Sequence, residues 1–224
     1  MLNAKNQGLD DMSHKIPIET SARHVHLSKS DFETLYGTGA ELTFEKPLSQ
    51  PGQFLAKERI TVKGPGGSFE NMAVLGPFRK ESQVEISMTD CRTLGVESVI
   101  RQSGHTLGTP GCTLMGPAGE VVLDHGVIVA KRHIHMTPSD AIRLDVKDND
   151  EVFILTKSYG RGVIFADVVV RVDRNFKLAM HVDTDEANAF ASDVETFGVI
   201  IKLFEDSSFN IDEWIDDVLD GIHR

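Results

Sequence analysis

The segment Arg23-His24-Val25-His26-Leu27-Ser28-Lys29-Ser30-Asp31 recurs 109 residues later as Arg132-His133-Ile134-His135-Met136-Thr137-Pro138-Ser139-Asp140. A leucine follows in register in each copy, Leu35 and Leu144. The matched positions include polar and rare residue types as well as apolar ones, which sets the repeat apart from chance similarity. The chain therefore reads as two similar modules, each opening with strand, turn and helix. Helices are expected over Ser28–Tyr36 and Thr137–Leu144. Each opens on a hydroxyl residue and carries an aspartate in its first turn.

The rest of the chain is rich in short β signals. Glu58–Val62, Phe69–Leu75, Val84–Met88, Val121–Leu123, Val127–Ala130, Glu151–Thr156, Gly162–Val172 and Lys177–Val182 read as strands. Gly64-Pro65-Gly66-Gly67 and Gly116-Pro117-Ala118-Gly119 read as tight turns. Many short strands separated by turns favour a barrel or sandwich, so the expected class is mainly β with short helices. Past Ser192 the character changes. Ile211, Trp214, Ile215, Val218, Leu219 and Ile222 fall on one helical face, with Asp212, Glu213, Asp216, Asp217 and Asp220 opposite. This acidic amphipathic C-terminal helix either docks on the body of the protein or serves as a docking peptide for another one.

The repeated His-x-His is the first feature with chemistry in it. On a strand, residues i and i+2 point to one face with α-carbons ~6.5 Å apart, so two imidazoles converge on a single metal ion. On a helix they would diverge. A lone pair of this kind is more often structural, but its duplication in a duplicated context points to one metal site per module. A catalytic zinc site takes about three protein ligands and keeps one position open. Candidates for the third ligand are Glu85 and His181, though a residue of either type taken alone is more often an ordinary strand residue. In Gln83-Val84-Glu85-Ile86-Ser87, Val84 and Ile86 face the core, which puts Gln83, Glu85 and Ser87 together on the other face. Arg79 follows Gly76-Pro77, a turn signal that could aim its planar fork of donors at a phosphate. Gly104, Gly108 and Gly111 mark a flexible loop able to approach a phosphate or a pantetheine arm.

Other classes are disfavoured. No Gly-x-Gly-x-x-Gly, Walker or Gly-x-Ser-x-Gly motif occurs. Cys91 and Cys112 have no neighbouring histidine and read as small core hydrophobes. Two cysteines cannot build a disulfide framework, which favours a reducing cytoplasm. The N-terminal MLNAKNQGLDD lacks the layout of a secretory signal, and no apolar run is long enough to span a bilayer. A net charge of −11 speaks against nucleic acid as a partner. Seven acids and one base between residues 203 and 224 supply more than half of that excess.

With these pieces assembled, the sequence resembles the phosphate propanoyltransferase family of phosphotransacylases. The matching stretches are Ser21–Ser28, Gly76–Ser87, Arg101–Gly111, Ala130–Asp140 and His181–Ala189, in order, across roughly residues 16–190. The resemblance implies reversible conversion of acyl-CoA plus phosphate into acyl phosphate plus CoA. It implies two zinc ions in a cleft between two small β-barrel domains. One would be held by His24, His26 and Glu85, the other by His133, His135 and His181, with Arg79 on the phosphate. His105 departs from the polar or acidic residue expected in its loop and reads as a solvated histidine.

The chain then divides into a polar segment, 1–14; a first module, 15–130; a second module, 131–192, with 15–22 as a candidate for completing it; and an acidic extension, 193–224. Many relatives are cargo of bacterial microcompartments, so the extension is a candidate contact for shell or cargo proteins or for a second copy of the chain. The competing readings are a zinc-dependent ester or thioester hydrolase and a non-catalytic zinc protein associated with such a compartment.

Overall fold

Both copies of the repeat form the same strand–helix unit, because each supplies its own cap. In the computed structural model, which describes residues 14–157, 161–190 and 196–201, Ser28 and Thr137 are the N-caps of two short helices. Their hydroxyls accept hydrogen bonds from the backbone N–H of Asp31 and Asp140. The Asp140 carboxylate returns the bond to the Thr137 backbone, which completes a capping box.

The first part of the chain contains β1 (Ile16–Thr20), β2 (His24–Ser28), α1 (Lys29–Tyr36), β3 (Phe44–Pro47), β4 (Phe54–Lys63), β5 (Ser68–Arg79), β6 (Gln83–Glu85), α2 (Met88–Leu94), β7 (Ile100–Arg101), β8 (Cys112–Met115), β9 (Glu120–Leu123) and β10 (Val127–Ala130). The second contains β11 (His133–Met136), α3 (Pro138–Leu144), β12 (Glu151–Lys157), β13 (Ile164–Val172), β14 (Ala179–Val182), α4 (Thr184–Ala189) and β15 (Phe197–Ile201). The architecture is mainly β, as the patterning predicts. No helix among the described residues is long and apolar enough to cross a membrane.

The two modules close differently. In the second, the strands form a barrel in the order β1-β14-β11-β13-β12-β15. In the first, they form a curled sheet in the order β7-β10-β6-β2-β5-β4-β8-β9, with β3 on β4. The barrel therefore draws on strands from both sides of residues 131–192. β1 pairs in parallel with β14, and β15 bridges β1 and β12. The C-terminal amphipathic helix and nearly all of segment 1–14 lie outside the described residues.

Three local readings change. Gly76-Pro77 is not a turn: β5 continues through it to Arg79, with a register shift against β2 just before the arginine. The residue is glycine for a packing reason, since a Cβ there would sit 2.2 Å from the Phe54 ring. Met88 starts α2 rather than ending a strand, because Ser87 caps that helix through the N–H of Asp90. α4 is also new, opened by an Asp183/Glu186 capping box. Both caps are legible in the sequence once these helices are known.

Each module has its own core. Val25, Val74, Val84 and Val127 come together with Phe32, Leu35 and Leu114 in the first. Ile16, Ile134, Ile154, Val170 and Met180 come together with Phe190 in the second. Burying each large side chain of this kind stabilises the fold by about 1.5–3 kcal/mol. Val25 and Ile134 have no exposed surface, so strand alternation turns His24, His26, His133 and His135 to the opposite face of their sheets.

Candidate active site

The opposite faces of the two sheets meet across one cleft of about 460 Å³. All seven residues singled out in the sequence line it: His24, His26, Arg79, Glu85, His133, His135 and His181. They form two triads, His24–His26–Glu85 and His133–His135–His181, and within each the potential ligand atoms lie within 4.8 Å of one another.

Register brings each third member into place. β6 runs antiparallel to β2 with Glu85 directly across from His24, and β14 runs antiparallel to β11 with His181 across from His133. His24 Nε2 lies 3.6 Å and His26 Nε2 3.8 Å from the Glu85 carboxylate. Glu85 is buried and is not the exposed strand carboxylate that its type would suggest. The rings of His133 and His135 lie 5.2 and 5.0 Å from that of His181.

The histidine nitrogens are sorted in the same way in both triads. His24 Nδ1 is 2.8 Å from the Ala22 carbonyl, and His133 Nδ1 is 2.9 Å from the Lys131 carbonyl. A carbonyl only accepts, so each Nδ1 carries the proton and leaves the Nε2 lone pair free. The second histidine of each pair, His26 or His135, has a buried Nδ1 with no hydrogen-bond partner. His125 Nδ1 is in the same state but lies off the cleft. In the first triad the nitrogen of His26 nearest Glu85 is Nε2, the same nitrogen that His24 leaves free for a cation. Imidazole and carboxylate donors are the set that zinc takes, so the residues fit the ion.

Electrostatics keep these groups in the forms that bind cations. Burial, reinforced by neighbouring positive charge, pushes His26 down to about 3, His133 to about 4 and His135 to about 2. Burial with Arg171 and His24 pushes His181 to about 4, although Glu85 opposes the shift. These four are therefore neutral near pH 7. Burial would raise Glu85. His24, His26, a hydrogen bond from Ser103 and the Arg79 charge outweigh it, and the carboxyl falls to about 2.

Arg79 belongs to a connected network. Its Nη1 donates to Ser103 Oγ at 2.7 Å, and Ser103 Oγ donates to Glu85 Oε1 at 2.7 Å. Gln83 Nε2 also donates to Glu85, and Gln83 Oε1 accepts from the Gly104 N–H at 2.7 Å. The glycine loop is thus pinned to the first triad at its Ser103-Gly104 end. His105, in the same loop, is exposed. Across the cleft, Gln50 donates to the Lys177 carbonyl at 2.9 Å and lies 3.4 Å from His181 Nε2, so a loop of the first module supports the second triad.

Sequence reasoning missed Ser103, Gln50, Phe176 and Arg171. Ser103 lies inside the stretch Arg101–Gly111 that carried the resemblance, and that was its signal. The other three reach the cleft only through pairing between distant segments. Cys91 and Cys112 are buried in the core of the first module and do not line the cleft.

The sequence profile described as phosphate propanoyltransferase matches residues 17–193. A phosphate propanoyltransferase from Enterococcus faecalis is 53% identical over 83% of this chain and 87% of its own length. One from Thermotoga maritima is 56% identical over 78% and 83%, and one from Leptotrichia buccalis 58% identical over 77% and 81%. This chain belongs to the phosphate propanoyltransferase family.

Proposed function

We propose that this chain is a phosphotransacylase that interconverts a short-chain acyl-CoA plus phosphate with acyl phosphate plus CoA. The observation that carries the reading is the convergence of both triads and Arg79 on one cleft in a chain of this family. His24, His26 and Glu85 would hold one zinc ion, and His133, His135 and His181 a second. When bound, the metal supplies Lewis acidity toward the thioester, where charge develops on attack.

The chain's own residues do the rest. Arg79, held by Ser103, presents its remaining donors to phosphate, so part of the catalysis is positioning. A phosphate oxygen bonds to the acyl carbonyl carbon, and the carbon–sulfur bond breaks. The departing CoA sulfur takes the proton that phosphate gives up. No enzyme nucleophile is needed. Burial of Cys91 and Cys112 supports direct attack, and it raises both thiols, Cys112 to about 12.

The test is CoA release from acetyl-CoA and propanoyl-CoA with and without phosphate. Strict phosphate dependence, with acyl phosphate formed, is expected. Release without phosphate would overturn the reading in favour of a hydrolase. The two acyl groups differ by one methylene, worth only about 1–3 kcal/mol to a pocket. Activity with both is therefore consistent with the proposal.

A further inference from the structure

Two guanidinium groups enter the cleft from equivalent strands. β5 runs parallel to β2 and brings Arg79, and β13 runs parallel to β11 and brings Arg171. Arg171 stands directly beside His135 in that register. Its direction follows from its neighbour. Ile134 and Val170 are partners with no exposed surface in the barrel core, so His135 and Arg171, one residue further on, face the other way. Arg171 accordingly lines the cleft with the two triads.

Other cations of the cleft are matched by acids. Arg23 donates twice to Asp90, at 2.9 and 2.7 Å, and Lys131 pairs with Glu151. Arg79 rests on Ser103, which is bonded in turn to Glu85. Arg171 makes no hydrogen bond or ion pair among the described residues. Its aromatic neighbour is Phe176, whose ring centre is 5.9 Å from the guanidinium carbon, at the outer limit of a cation–π contact. Arg171 and Arg79 line the same cleft. Two guanidinium groups in one half-buried cleft, one of them without a counter-charge, repel each other until an anion enters.

We infer that Arg171 is the second arginine of a clamp on the phosphate group being transferred, opposite Arg79. It binds inorganic phosphate in one direction and the phosphoryl end of acyl phosphate in the other. Each module thus supplies one metal-type triad and one arginine. The phosphates of CoA share this chemistry, so the test has to separate the two sources.

The variants are Arg171→Ala and Arg171→Lys, assayed in steady state against both substrates, with 3′-dephospho-CoA thioesters as a further acyl donor. Losing charge-assisted hydrogen bonds should raise the KM for phosphate roughly 10- to 100-fold. The KM for acyl-CoA should stay within about twofold, since the donor would make no contact with Arg171. Arg171→Lys should recover part of the loss, because it restores the charge but not the fork. Calorimetric binding of inorganic phosphate alone should weaken in parallel. Melting temperature and metal content show whether each variant is folded; if Arg171→Ala is not, Arg171→Lys carries the test. A raised KM for acyl-CoA that disappears with the dephospho donor would assign Arg171 to CoA and overturn the inference. Unchanged phosphate kinetics would overturn it too. The inference rests on the acyl-transfer reading, and the two fail separately. Wild-type turnover without phosphate dependence sinks that reading, whereas phosphate-dependent wild type with unaffected variants sinks this inference alone.

Discussion

Glu85 and His181 occupy the same place in two copies of one motif. Each faces the first histidine of its module across an antiparallel pair, His24 for Glu85 and His133 for His181. Two residues on, Ser87 and Asp183 cap a helix. Three further on, Asp90 and Glu186 reach back to the arginine that precedes the His-x-His, at 2.7 and 2.9 Å. The duplication therefore extends to the third member of each triad. The two third members are 96 residues apart rather than 109, and one is a carboxylate where the other is an imidazole.

That difference makes the triads separable. Glu85→Gln keeps the side chain's shape but removes the anion from the first triad only. Metal content after dialysis should fall from about two ions per chain to about one. His181→Ala should remove the other ion, and the double variant both. Retention of two ions in Glu85→Gln would show that the first triad does not hold metal through its carboxylate.

The arginine before each His-x-His has a structural task. Arg23 grips Asp90 with two nitrogens and lies over the Phe69 ring at 4.4 Å. Asp90 is 4% exposed, so losing the arginine leaves a buried carboxylate short of partners. Arg23 itself is 45% exposed at its side chain, which tempers the cost through solvent screening. Arg23→Ala should lose about 1–3 kcal/mol in urea unfolding, and Asp90→Asn less, because the amide still accepts one bond. Equal stability of Arg23→Ala and wild type would refute the tie between α2 and β2.

How much was legible follows from what each signal depends on. His-x-His works at i and i+2, and strand alternation alone puts both rings on one face, so His24, His26, His133 and His135 could be read without a partner strand. Val84 and Ile86 likewise fixed the face of Glu85. Arg171 carries no such local mark. It is one arginine at the end of a strand, and it reaches the cleft because β13 pairs in parallel with β11, a contact between segments more than 25 residues apart. Parallel pairing of this kind leaves no turn signature between neighbouring strands. The same physics hid the barrel's last strand. Residues 15–22 read as a candidate for completing the second module, but β15 lies wholly beyond Ser192, where the change of composition marks the end of that module.

Gly198 tests the barrel's closure. It sits in β15 at a point where a Cβ would lie 2.5 Å from Ile154 Cγ2 and 3.2 Å from Ile18 Cδ1. Ile154 has no exposed surface, so it has no free space to move into. Gly198→Ala should therefore overpack the seam between β15, β12 and β1 and cost about 1–3 kcal/mol in urea unfolding. Gly162→Ala is the control. Its Cβ would make an ordinary 3.4 Å contact with the Thr156 carbonyl, and stability should change by no more than about 0.5 kcal/mol. If Gly198→Ala matched the control, β15 would not pack on Ile154 and Ile18, and the barrel would have to close without it.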